Sequence, residues 1–281
     1  MIDRLYKNML ELIINFNKKG NKKMRFKVFL KIFGESMSID YRRKILHLLK
    51  TGMSKYSEET FEDYFSKTKL KQYTWTIFFK DVKFTKEKIY FNKNETEAIV
   101  DFSFSSYEDG INLYNSLVNI KNLEVNFSKN AKAKIMNIKL IPDKVITSDE
   151  VVFKTLSPII CRDHNRETFE DKYFSFEDDE FKATLKRNLF LKLKDVVENS
   201  ELENDVNEIS FQKINLKKLV IKHYDKTSKN NSGKFKGQFI DATAGTFKLK
   251  AKNYILKYVY DAGLGSITGN GFGMLEIVNQ N

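Results

Sequence analysis

Two stretches of this 281-residue chain hold residues whose types and spacing suit work on a phosphodiester. The first centres on His47. Arg43 lies four residues before it and Lys50 three after, so a helix would set all three on one face. Cleaving a phosphodiester by acid–base catalysis takes one group to accept the proton of the attacking hydroxyl and another to protonate the departing oxygen. It also takes a cation to steady the charge that builds around phosphorus. An imidazole, with an ordinary pKa of about 6.5, serves either proton transfer. Lys50 and Arg43 serve the charge. The plainer reading of His47 is a surface histidine on an amphipathic helix.

The second stretch, 262–274, places Gly263, Gly265, Gly269, Gly271 and Gly273 within a few residues of one another, just before an apolar segment. Glycine admits positive φ and close backbone approach, at the expense of chain entropy and packing. Such a loop can aim successive N–H groups at phosphate oxygens and so form a nest for an anion. These glycines follow a helix, whereas the nucleotide-binding fingerprints place theirs ahead of one, so a mononucleotide or dinucleotide site is excluded. A helix C-cap with a tight turn accounts for Gly263 and one more glycine. The other three call for a further cause.

Other candidates are weaker. Tyr41, at the start of the His47 helix, could orient a phosphate or act as an acid, although six residues separate it from His47 and put it on another side. Lys55 is a similar outsider. His223 ends the basic strand Lys213–Lys222 and reads as an RNA contact or a surface residue. His164 lies in the polar loop Arg162–Arg166 and reads as solvated. Tyr73 and Trp75 could stack on bases, but in a sheet packed by helices the balance favours core. Lys154, Arg162, Lys182, Lys186 and Arg187 are expected to line a cleft along an RNA backbone, with Lys182 and Lys186 one helical turn apart.

Composition narrows the classes. The formal net charge is +12, with a pI near 9.4, which favours a polyanionic partner. A chain crowded with Lys, Asn, Ile and Phe also fits an AT-rich genome, which weakens that inference. The lone Cys161 excludes a disulfide framework, and the three histidines lack metal-ligand spacing. No metal and no cofactor are expected. No apolar run is long enough for a bilayer, and the start of the chain lacks the form of a secretory signal. The expected place is the cytoplasm, with no membrane partner.

The elements that must position these residues read as two units. Residues 1–23 form a separate extension, with Leu5, Met9, Leu12, Ile13 and Phe16 along one side of a short helix and a cationic linker after them. Translation could equally begin at Met24. Residues 24–145 then read as strand 25–33, helix 40–50, short helix 58–65, strands 73–79, 88–91 and 97–104, a helix carrying Ile111, Tyr114, Leu117 and Val118, and strand 132–141. Asp40 is the expected N-cap of the first helix. Residues 146–281 repeat the order with strand 151–156, helix 180–197, a hairpin of 211–223 and 234–242 around a turn at 227–233, helix 250–260 and strand 274–278. The first order is βαββαβ with an extra strand pair and the second repeats βαββαβ, so the expected fold class is α+β, a tandem of ferredoxin-like (RRM-like) units.

The glycine spacing Gly263-x-Gly265, five residues, Gly271-x-Gly273, followed by an apolar strand, resembles the C-terminal signature of the CRISPR-associated repeat-processing endoribonucleases (Cas six, RAMP superfamily). The resemblance runs from Met24 to the end. It includes Leu156-Ser157-Pro158-Ile159 with Arg162 soon after, and the strand Tyr73–Phe79. It implies metal-free cleavage of CRISPR precursor RNA within each repeat, leaving a 2′,3′-cyclic phosphate. It implies repeat RNA as the partner, other CRISPR effector subunits as further ones, and no cofactor. Members often carry a catalytic histidine in the first helix, the region of His47; this carries over by region, because some members lack one. Lys50 and Tyr41 accompany His47 as catalytic candidates. Gly263, Gly265, Gly271 and Gly273 become RNA-binding candidates. A non-catalytic RNA-binding scaffold subunit is the alternative.

Overall fold

The structure, a computed structural model, describes residues 24–66, 70–165, 167–229 and 235–280. The expected 1–23 extension and the tip of the hairpin turn lie outside the described residues.

The first half is built on a five-stranded antiparallel sheet. Its strands are β1 (Met24–Gly34), β3 (Tyr73–Phe79), β6 (Glu95–Phe104), β7 (Glu124–Ser128) and β8 (Ala131–Ile141), in the order β3-β6-β1-β8-β7. Period-two alternation dictates which face is covered. Phe26, Val28, Leu30 and Ile32 of β1 are buried against the helices, while Lys27 and Lys31 turn to the other face and pair with Asp101 and Glu95. Helices α1 (Tyr41–Tyr56) and α3 (Tyr107–Asn119) cover the apolar face, and α2 (Glu58–Phe65) flanks them. Ser106 caps α3 by accepting from the Asp109 N–H, with Glu108 and Asp109 in the first turn, where the helix dipole favours acids. Asp40 stands at the α1 N-cap, its carboxylate 3.0 Å from Arg43 Nε.

One expected strand is elsewhere. Residues 88–91 form β5, which pairs with β2 (Ser36–Ser38) and β4 (Val82–Phe84) in a separate three-stranded sheet. Ile89 and Phe91 are buried there, so the segment gains its core contacts without joining the main sheet.

The second half has a four-stranded sheet of β9 (Glu150–Thr155), β12 (Ser210–Lys229), β13 (Phe235–Lys250) and β14 (Leu275–Gln280), in the order β12-β13-β9-β14. Taking β1, β3, β6 and β8 as the first half's four strands, both sheets share one permutation: second, third, first, fourth. The ferredoxin-like strand order is therefore present twice, once in each half, although the halves share no visible sequence. Helices α4 (Phe181–Leu193) and α6 (Asn253–Ala262) pack on the second sheet, and the short α5 (Leu202–Asn207) adjoins α4.

Strand β13 runs eight residues beyond the expected end at Ala242, and α6 starts at Asn253 instead of Lys250. The cause is local. Gly245 (φ 128°) and a register shift opposite Lys213–Asn215 let the strand bend and keep pairing. The ladder continues to Lys250, which pairs with both Ser210 and Glu150. Helix α4 stops at Leu193, short of the expected 197. A hairpin of β10 (Cys161–His164) and β11 (Asp171–Phe174) is additional.

The halves are fastened by Arg25. Its guanidinium is buried, donates to Ser103 Oγ (2.9 Å), the Tyr260 hydroxyl (2.7 Å) and the carbonyls of Tyr260 and Leu275, and lies 3.8 Å from the Tyr260 ring centroid. A buried cation is tolerable because its donors and its face are occupied. Tyr258 Oη adds a bond of 2.6 Å to Gln72 Oε1. Two sheets held this way fix the width of the space between them.

Candidate active site

Helix α1 delivers one wall of an open cleft of about 720 Å³. Ile45, Leu48, Leu49, Gly52 and Met53 are buried. That choice leaves Arg43, Lys44, His47 and Lys50 on the opposite stripe, and all four line the cleft. His47 is exposed, and its ring hydrogen-bonds to none of the described residues. Lys50 Nζ stands 5.0 Å from the Phe65 ring centroid. Lys71, just ahead of β3, donates to the Tyr64 carbonyl and completes this wall. Burial drives the Tyr64 and Tyr73 hydroxyls well above the usual phenol range, so both stay protonated.

The opposing wall comes from the second half: Arg162 on β10, Tyr173 on β11, His223 on β12, and Ile267, Gly269 and Asn270 of the glycine-rich segment. Asp171 organises it. Its carboxylate accepts from Arg162 (3.2 Å) and from the Tyr173 hydroxyl (3.2 Å), and it lies 2.7 Å from His164 Nδ1. His164 is thus partnered as well as partly exposed.

The glycine-rich segment is packed tightly between the halves. Gly263, Gly265, Gly271 and Gly273 are all buried. All four have positive φ, from 71° to 93°. A Cβ on Gly271 would come within 2.7 Å of the Trp75 ring, and one on Gly273 within 2.0 Å of the Leu264 carbonyl oxygen. The N–H groups of Gly263, Gly271 and Gly273 donate to the carbonyls of Val259, Thr268 and Pro158. These three donors are committed inside the protein, and the crowding around all four glycines gives a packing reason for them. Trp75 Nε1 and Thr74 Oγ1 bond to the carbonyls of Gly269 and Phe272, Ser157 Oγ accepts from the Met274 N–H, and Asn188 donates to Ser266 Oγ. Beneath the loop, Lys192 Nζ lies 3.0 Å from Thr268 Oγ1, and burial pushes its pKa down to about 7. Arg42 spans the seam, reaching the Gly271 carbonyl at 3.3 Å and covering the Phe272 ring at 4.2 Å. The loop is therefore a clasp between the halves, and its cleft-facing part is Ile267, Gly269 and Asn270.

The structure brings together some of the expected site residues and separates others. His47, Lys50 and Arg162 share the cleft, together with Arg43. Tyr41 does not join them: its ring packs edge-on against Phe79 (5.5 Å), with Arg42 over it. Lys55 is exposed, near the end of α1. Of the five basic residues expected to line a cleft along an RNA backbone, only Arg162 lines this one. Lys154 is exposed on β9. Lys182 and Lys186 border a smaller depression beside α4, and Lys186 is tied to the Asn207 carbonyl. Arg187 pairs with Asp163 at 2.7 Å. Tyr73 and Trp75 are core, at 1% and 0% exposure. Sequence reasoning missed Lys44, Lys71, Asn126 and Tyr173. Lys44 was readable from its helical spacing to His47; the others reach the cleft through tertiary contacts.

Among the described residues no three His, Cys, Asp or Glu side chains gather as metal ligands, and no helix is long and apolar enough to cross a membrane.

The family model for the C-terminal part of the CRISPR-associated protein Cas6 matches residues 141–277. A putative CRISPR-associated endoribonuclease-like protein Cas6 from Pyrococcus furiosus is 26% identical over 195 residues, covering 66% of this chain and 75% of the relative. Among solved structures, the product of a Cas6-related gene from Pyrococcus furiosus superposes with a TM-score of 0.70 at 16% identity, over 92% of this chain and all of the other. A RAMP protein described as binding different RNA substrates gives 0.68 at 16% identity, over 91% of this chain and all of the other. At these identities the structural likeness establishes the fold.

Proposed function

Because residues 141–277 match the family model for the C-terminal part of the CRISPR-associated protein Cas6 and the chain is similar to a Cas6-like relative, we propose that it is a Cas6 endoribonuclease that cuts CRISPR precursor RNA within its repeats. The finer part of the proposal is metal-independent attack by the 2′-hydroxyl, giving a 2′,3′-cyclic phosphate end. One observation carries the reading: the exposed imidazole of His47 stands in a cleft where cations from both halves converge, Arg43 and Lys50 from one wall and Arg162 from the other. In this reading His47 takes the 2′-hydroxyl proton, and Lys50 with Arg43 offsets the charge of the phosphorane. Asn270 and Arg162 hold the strand against the second wall. Lys154 and the α4 residues Lys182, Lys186 and Arg187 act on RNA beyond the cleft.

The test is analysis of product ends after incubation with repeat RNA. A 2′,3′-cyclic phosphate on the upstream fragment is expected; a 3′-hydroxyl there contradicts the attack by the 2′-oxygen. One feature favours the rival reading of a non-catalytic RNA-binding subunit. A dedicated general base is commonly oriented by a third group, and the His47 ring has none among the described residues. Tight binding of repeat RNA with no cutting would establish that rival.

A further inference from the structure

The proposed reaction needs two proton transfers, and His47 performs only one of them. Tyr41, which the sequence offered as an acid, is turned away against Phe79. The cleft contains a second imidazole, from the other half of the molecule. We propose that His223 is the general acid, delivering a proton to the departing 5′-oxygen from the wall opposite His47. This assignment rests on reading the cleft as an RNA-cleaving site.

Three observations carry it. His47 and His223 line the same cleft, from different halves, at a volume that accommodates a small ligand such as a dinucleotide step. The His223 ring is placed by its surroundings. It packs edge-on against Phe272 at 5.9 Å, and that ring is fully buried and covered by Arg42 on its way across the seam. Gln238, directly opposite His223 in the β12–β13 ladder, lies 3.3 Å from the Tyr173 hydroxyl, which is bonded to Asp171. His223 is thus half-buried on a built wall.

The step balances. The 2′-oxygen forms its bond to phosphorus as His47 takes the hydroxyl proton; the bond from phosphorus to the 5′-oxygen breaks as His223 supplies one. His47 ends protonated and His223 neutral, and exchange with water restores both. Arg43, Lys44, Lys50, Lys71 and Arg162 face the same space and would draw the phosphodiester between the two imidazoles, while Tyr173 lies beside the β12 wall.

The experiment compares wild type, His223→Ala, His223→Gln and His47→Ala in single-turnover cleavage of repeat RNA. One substrate has the ordinary 5′-oxygen at the cut, the other a bridging 5′-sulfur, which leaves without a proton. Both His223 variants are expected to lose about 100-fold or more on the ordinary RNA and to return to within about five-fold of wild type on the sulfur substrate. His47→Ala stays slow on both. Wild-type rates from the His223 variants on ordinary RNA overturn the assignment. So does an equal loss on both substrates, which marks a role in binding or folding. A wild type that cuts neither RNA overturns the nuclease reading itself, and this assignment with it.

Discussion

The two walls of the cleft are built on opposite principles. The α1 wall presents Arg43, Lys44, His47 and Lys50 on a stripe left to solvent because Ile45, Leu48, Leu49 and Met53 occupy the core. Its backbone would be the same helix with other residues at those four positions. The loop wall has little such freedom. Trp75, Thr74, Ser157 and Lys192 seize its backbone and side chains, and its glycines sit where no Cβ fits. One wall holds replaceable chemistry on a rigid element; the other holds the halves in register, and so sets how far the chemistry stands from what it acts on. Function-altering substitutions on the α1 stripe should therefore separate cleanly from fold-altering ones at the glycines of the loop.

The contrast is sharpest at His47. His47→Ala is expected to slow single-turnover cleavage of repeat RNA by roughly 10²–10⁴-fold, with thermal stability unchanged and RNA affinity kept within a few-fold. A parallel fall in stability would break the comparison. Gly271→Ala should do the reverse. It forces a side chain into the Trp75 ring at a left-handed backbone, for a loss of about 2–4 kcal/mol measured by denaturant unfolding. A neutral effect would show that the clasp is soft.

Lys192 supplies a test by pH. Its folded pKa near 7 lies below the ordinary 10.5, so between those values the unfolded chain holds a proton that the folded one lacks. Stability should rise as pH climbs from about 7 to 10.5 and owe nothing further to this residue below 7. Lys192→Met removes that slope, and thermal unfolding of both proteins across the window reads it. An identical slope in the variant would mean that the amine is charged under the loop. The smallest effect is expected at the rim: Arg43→Ala should weaken RNA binding by about 1 kcal/mol and reduce its salt dependence, leaving stability alone.

Which parts were readable in the sequence follows the same division. Local periodicity locates α1 and the strand 73–79, and spacing alone puts Arg43, His47 and Lys50 on one face. The glycines announce themselves as exceptional, but not why. The atoms that crowd them, in Thr74, Trp75, Ile160 and Leu264, are remote in sequence or hidden in a backbone turn, so the spacing alone suggests an anion and does not reveal the packing. Residues 88–91 have the pattern of a strand, and only pairing with β2 and β4 decides which sheet they join. The Asp171 network and the place of His223 depend on the β10–β11 hairpin, whose short polar strands carry almost no periodic signal. The lysines of α4 show the converse: helical spacing brings Lys182 and Lys186 together, yet the packing of α4 turns them away from His47.

The most direct measurement is cleavage of repeat RNA by the purified wild-type chain in excess EDTA, beside an RNA with a single 2′-deoxy substitution just upstream of the cut. The account predicts cutting of the first at a rate unaffected by EDTA and none of the second. Cleavage of the deoxy strand, or cleavage that returns only when a divalent ion is supplied, would contradict it.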